Sequence, residues 1–159
     1  MQLLVSGANI LIDFEEGQLL KEIFQLSYQF AIPDILYHEE LASEHGQLID
    51  LGLQIRSLTS ESLSQALTII QRYPQPSRND CFALMLAKQE DCPLLTGDKD
   101  LRSAAEKEGT IVYGTIWLVE EMITQKIINT KTAKEAYKQM KTQGRRLPWD
   151  TARRRLQES

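Results

Sequence analysis

Two cysteines and two histidines are all that these 159 residues offer to soft-metal or thiol chemistry. Cys81 and Cys92 form no CxxC pair and have no histidine pair nearby, so neither a zinc site nor a disulfide framework is indicated. That usage fits a reducing cytoplasm. His38 and His45 have no recognisable serine or cysteine partner, which removes histidine-activated nucleophiles and leaves both rings expected at the surface. No apolar run reaches membrane-spanning length. The opening MQLLVSGANILIDFEE has no basic start, and Ser6, Asn9 and Asp13 cut its apolar portion, so no signal peptide is expected. A Walker loop and a GxGxxG turn are both missing, and no internal repeat or low-complexity linker is visible.

Charge is unevenly placed. Residues 131–159 hold nine Lys or Arg against three acids, a local +6, while the remainder has nine against nineteen, a local -10. A basic tail on an acidic body is either a nucleic-acid contact, with Arg145, Arg146, Arg153, Arg154 and Arg155 as its candidates, or a solvated helix face. The length suits one domain with a core of its own.

The stretch Ser77 to Leu101, SRNDCFALMLAKQEDCPLLTGDKDL, organises the rest. Ser77 and Asp80 have capping-box spacing, which predicts a helix from near Asn79 carrying Phe82, Leu84, Met85, Leu86 and Ala87 into a core. Leu94-Leu95-Thr96 then reads as a buried parallel strand. Other short strands are expected at Leu3–Val5, Phe30–Ile32, Leu53–Leu58 (edge-like) and Thr110–Tyr113. Helices are expected between them: Ile10 to Tyr28 with a break at Gly17, Ile35 to Ser43 capped by Asp34, a short turn at Gln47–Leu51, and Ser60 to Arg72 with Leu63, Ala66, Leu67, Ile69 and Ile70 inward. Further helices follow at Asp100–Glu108, Ile116–Lys126, Thr130–Thr142 and, capped by Asp150, up to Leu156. Alternating strands and helices predict an α/β fold with an open, mostly parallel central sheet flanked by helices.

In such sheets the chemistry sits at the carboxyl ends of the strands. Asp80, in the first turn of its helix, and Asp98, just past its strand, should meet on that rim. Glu40 shares the inner side of its helix with Leu36 and Tyr37, and that helix should begin at the same rim as Asp80. Gathered carboxylates suit a hard divalent ion such as Mg²⁺. The plain alternative is that Asp80 and Asp98 merely cap helices, and spacing leaves both readings open.

The residues themselves favour one side, because the chain resembles the PIN-domain nucleases. The matching pieces are LLVSGANILIDF, Pro33-Asp34-Ile35-Leu36-Tyr37 leading to Glu40-Leu41, Asn79-Asp80 before an Ala- and Leu-rich helix, and Leu95-Thr96-Gly97-Asp98. GTIWLVEEMITQKII is similar to the continuation in PIN proteins related to VapC-type toxins. The resemblance covers roughly residues 1–128 and leaves 129–159 as a basic helical extension. It implies a PIN-like fold, a Mg²⁺ or Mn²⁺ site, hydrolysis of single-stranded RNA, a small antitoxin protein as partner and a homodimer. Carried over by position, Glu40, Asp80 and Asp98 are the catalytic and metal-site acids, with Asn9 and Thr96 as supporting groups.

One departure is serious. The family's first acid, directly after strand one, falls on Gly7, which has no ligand atom, and Asp13 lies six residues further on. That leaves two origins, a naturally impaired member or removal of the acid to tame a toxic nuclease, and the three retained acids favour a nuclease lineage with a recent or engineered loss. The rival from another class is a non-catalytic PIN-fold module that binds RNA or protein. A phosphatase reading of Asp98-Lys99-Asp100 fails, since that chemistry needs its nucleophilic Asp on the first strand.

Overall fold

Continuous apolar runs form strands that are covered on both faces, and those around Leu4 and Ala31 do so here. The computed structural model describes residues 1–158. Its strands are β1 (Gln2–Ser6), β2 (Tyr28–Pro33), β3 (Gln54–Arg56), β4 (Leu94–Leu95) and β5 (Val112–Tyr113). They form one all-parallel sheet in the order β3-β2-β1-β4-β5. Val5 pairs with Ala31 on one side and Leu94 on the other, so β1 is the centre of the sheet. Leu4, Val5, Leu94 and Leu95 are wholly buried.

The flanking helices are α1 (Ala8–Glu16), α2 (Leu20–Ile23), α3 (Asp34–Glu40), α4 (Gln47–Leu51), α5 (Ser60–Arg72), α6 (Arg78–Gln89), α7 (Lys99–Lys107), α8 (Thr115–Thr124), α9 (Thr130–Thr142) and α10 (Trp149–Gln157). Helix α6 is buried along Cys81–Ala87, seven consecutive residues, because it lies on β1 and β2 with α5, α3 and α7 against it. A helix apolar on every side needs such neighbours on every side. Helix α9 packs on α1, α8 and α10. The approach to α1 is close at Gly17, where an added Cβ would stand 2.6 Å from Met140 Cε.

Several expected boundaries shift for physical reasons. The first helical region ends at Ile23, and Tyr28 opens β2 opposite Gln2. Asp34 is the first residue of α3 and Pro33 the cap; the Asp34 carboxylate accepts the Ile35 N–H at 2.8 Å and the Ser57 hydroxyl at 2.8 Å, so it ties α3 to the end of β3. Asp150 likewise lies inside α10, after Pro148. Helix α5 turns Ser62, Ala66 and Ile69 inward, whereas Leu63 and Leu67 are 40% and 61% exposed. Ser62 and Ala66 are the small residues of that stripe, and they allow a close approach to α6 that leucines at the same face would prevent. His38 is exposed, as expected, but His45 is largely covered and its Nδ1 lies 2.8 Å from Glu15 Oε2. Among the described residues no helix is long and apolar enough to cross a membrane.

Glu108, at the carboxyl end of α7, joins three elements. It accepts from Lys88 Nζ at 2.6 Å, Arg72 Nη1 at 2.8 Å and the Tyr73 hydroxyl at 2.5 Å. The Lys88 bond, then those of Tyr73 and Arg72, pull its carboxyl down to about 2, with burial opposing them. A depressed carboxyl stabilises the fold above its ordinary 4.5 and loses that contribution as the pH falls toward about 2. Glu108→Gln should therefore cost about 2 kcal/mol at neutral pH in chemical denaturation. It should also flatten the loss of stability on acidification below about pH 4.5.

Candidate active site

The chain leaves β1 toward β2 and β3 on one side and returns to β4 and β5 on the other. The carboxyl ends of β1 and β4 therefore flank the point where the strand order reverses, which is where open sheets form a crevice. A cleft of about 420 Å³ lies there. Gly7, Asn9 and Asp13 line it from the end of β1 and from α1, and Glu40 and Asp80 line it from α3 and α6. Thr96 and Asp98 line it from the end of β4, and Arg145 and Arg146 from the turn after α9. Every expected acid and both expected supporting residues thus reach one cleft. Arg153, Arg154 and Arg155 do not line it: Arg155 makes two bonds to Glu120, at 2.9 and 3.0 Å, and Arg153 pairs with Asp150.

Asp80 is delivered by the cap of α6. Ser77 Oγ accepts the Asp80 N–H at 3.0 Å, which fixes the first turn. Burial pushes the Asp80 carboxyl up, hydrogen bonds from Ser77 pull it down, and the charge of Asp98 raises it again. Asp98 lines the same cleft. Asp98 is delivered by both of its neighbours. Thr96, itself buried, accepts the Asp98 N–H at 3.0 Å through Oγ1, and Asp98 Oδ2 accepts the Leu101 N–H at 2.8 Å as the cap of α7. Capping and lining the cleft are compatible, because the cap uses one of two oxygens.

Glu40 is exposed as a residue, while its carboxyl is pushed up by partial desolvation, opposed by a bond from Asn79 and reinforced by Asp80 and Glu39. Asn79 Nδ2 donates to both Glu39, at 2.9 Å, and Glu40, at 3.0 Å. Glu39 also takes Arg78 at 2.9 Å, so it binds the start of α6 while remaining exposed. Among the described residues no three His, Cys, Asp or Glu side chains converge closely enough to hold one metal ion.

Asp13 is the residue that sequence reasoning set aside. It is buried, and its Oδ2 accepts Thr115 Oγ1 at 2.8 Å while Oδ1 accepts Arg145 Nε at 2.7 Å. Arg145 Nη2 reaches Asn9 O and Oδ1, both at 3.3 Å. The i, i+4 spacing of Asn9 and Asp13 put them on one face of α1. Nothing local marks an arginine 132 residues away as their partner. Asn9 thus meets Arg145 at the cleft.

Gly7 has φ -79° and ψ 162°, an extended conformation open to any residue. A Cβ there would lie 3.7 Å from the Leu95 carbonyl oxygen, an ordinary contact. The backbone at this position thus does not require glycine.

Removing either partner of a buried ion pair strands the other. Asp13→Ala should cost about 3 kcal/mol of stability. In a double-mutant cycle with Arg145→Ala the coupling should be at least about 1 kcal/mol, read by denaturant unfolding. Additive effects would show that the pair does not hold the 144–146 turn at the cleft.

A family model described as a PIN domain matches residues 3–159, and so runs through α9 and α10. No curated protein matches this chain significantly. Among solved structures, a PilT N-terminus domain protein from the hyperthermophilic archaeon Sulfolobus solfataricus P2 is similar in fold, with a TM-score of 0.53 at 18% identity over 77% of this chain and 94% of that one. Matched over nearly its whole length, the chain belongs to the PIN-domain family, whose fold is typically that of nucleases that bind RNA and use divalent metal ions.

Proposed function

We propose that this chain is an endoribonuclease of the PIN fold that has lost one acid, binding single-stranded RNA in the cleft for phosphodiester hydrolysis at Glu40, Asp80 and Asp98. The observation that carries this reading is that Asp80 and Asp98, brought from separate elements, line one cleft at the β1–β4 crevice. Two hard, mutually repelling carboxylates suit Mg²⁺ or Mn²⁺, since Mg²⁺ commonly takes one or two carboxylates and keeps its waters. Asp80 and Asp98 would hold the ion, with the charge of Glu40 beside Asp80. When bound, such an ion activates water and neutralises a phosphodiester.

The chain's own groups do the positioning. Ser77 and Thr96 fix the two acids, and Asn79 holds Glu40. Arg145, anchored on Asp13, and Arg146 offer positive charge on the same cleft to an RNA phosphate. By resemblance of its ordered motifs, we take residues 129–159 as an extension of a 1–128 core. On the same ground we read the chain as a cytoplasmic VapC-type toxin, homodimeric and restrained by a small antitoxin protein.

A second reading, a non-catalytic module binding RNA or protein, is favoured by Gly7 and by the spread of the acids. Restoring the carboxylate separates the two. Gly7→Asp should fold, given its extended backbone and open Cβ position, and should gain Mg²⁺-dependent cleavage of single-stranded RNA by roughly 10–100-fold or more. Adding Asp98→Asn should abolish the gain without unfolding α7, because Asn caps a helix as well as Asp does. A folded Gly7→Asp protein inert on varied RNAs would favour the binding module.

A further inference from the structure

Helix α9 carries Lys131, Lys134, Lys138 and Lys141 at spacings of three and four, which places them along one side of the helix. All four are exposed, and none has an acidic partner among the described residues. They line a groove of about 930 Å³ between α9 and α10, together with Arg153 from α10. Its floor is apolar and aromatic: Tyr137 and Trp149 meet edge to face at 6.2 Å, with Leu156 alongside. Glu135 is the one acid lining it.

The chain that builds the groove runs on to the cleft. At the end of α9, Gly144 takes φ +83°, its N–H bonds to the Lys141 carbonyl, and the Arg145 N–H bonds back to Met140 at 2.9 Å. That left-handed C-cap turn favours glycine and fixes the direction in which the chain leaves the helix. It turns the chain straight from Lys141 to Arg145 and Arg146, which line the cleft. Lys131 to Lys141 spans about 15 Å of helix. Four lysines on the groove and, one turn later in the chain, Arg145 and Arg146 on the cleft put basic residues at both places in a chain whose residues outside 131–159 sum to -10.

We propose that the α9–α10 groove is a guide track for single-stranded RNA, the lysines following its phosphates and Trp149 stacking on a base, which leads the strand into the cleft. The inference rests on the reading of the cleft as an RNA site. A lysine row beside an aromatic floor is the combination that binds single strands without sequence preference. An acidic protein segment would also match the lysines, but the aromatic floor beside them and the single turn of chain between Lys141 and the cleft arginines favour RNA.

Fluorescence anisotropy with labelled oligouridylates of about 4 and about 12 nucleotides, in EDTA to prevent cleavage, tests the track. Wild-type protein should bind the longer strand more tightly. Lys134→Ala/Lys138→Ala should weaken it roughly tenfold, reduce the salt slope by about 1.4, and leave the short strand unaffected. Trp149→Leu should weaken the longer strand about fivefold or more with little change in slope, and Lys107→Ala on α7 should change nothing. An unchanged slope and length dependence in the double lysine variant overturns the track. So does a glutamate-rich helical peptide that binds the wild type but not that variant while RNA binding is unaltered. If Gly7→Asp proves inert as a nuclease yet length-dependent binding falls as described, the track stands and only the nuclease reading fails.

Discussion

The position of β1 in the middle of an all-parallel sheet is the constraint on which the site depends. A parallel strand cannot return by a hairpin, so each connection crosses the sheet and delivers the next helix start to the same rim. With β2 and β3 laid on one side and β4 and β5 on the other, the ends of β1 and β4 open a crevice between them. Gly7 and Asp98 stand at those two ends, and α6, packed across β1 and β2, brings its first turn and Asp80 to the same place.

Such a crevice concentrates like charge, and the chain manages that with opposite charge brought from far away in sequence. Asp13 is satisfied by Arg145 and Thr115, while Glu39 and Glu40 share Asn79. The Asp80 and Asp98 backbone N–H groups donate to Ser77 and Thr96, the Asp98 carboxylate accepts the Leu101 N–H, and among the described residues no salt bridge neutralises either carboxylate. A folded protein keeps two repelling carboxylates together when their use outweighs their cost in stability. The α9–α10 pair contributes the other half of the arrangement, since its C-cap turn carries Arg145 and Arg146 to the acids.

Much of this was legible in the sequence wherever the signal is local. The apolar run at Leu94-Leu95, the Ser77 cap and the break at Gly17 each state their structure within a few residues, and together they predict the sheet and the rim. A helix start and a strand end mark Asp80 and Asp98 for the rim, the resemblance adds Glu40 to them, and all three line the cleft. What was not legible depends on partners distant in the chain. Asp34 looks like a cap until Ser57 is placed beside it, and the inward face of α5 is decided by how closely α6 approaches. Asp13 lies six residues past Gly7, and nothing near it in the sequence points to Arg145 as its partner.

Whether Asp80 and Asp98 hold a common divalent ion is most directly read by calorimetric titration of Mn²⁺ into the wild-type protein, Asp80→Ala and Asp98→Asn. A shared site gives saturable binding in the wild type that each substitution weakens by roughly tenfold or more. Equal heats from all three proteins would contradict it and leave the two carboxylates as helix-terminal residues alone.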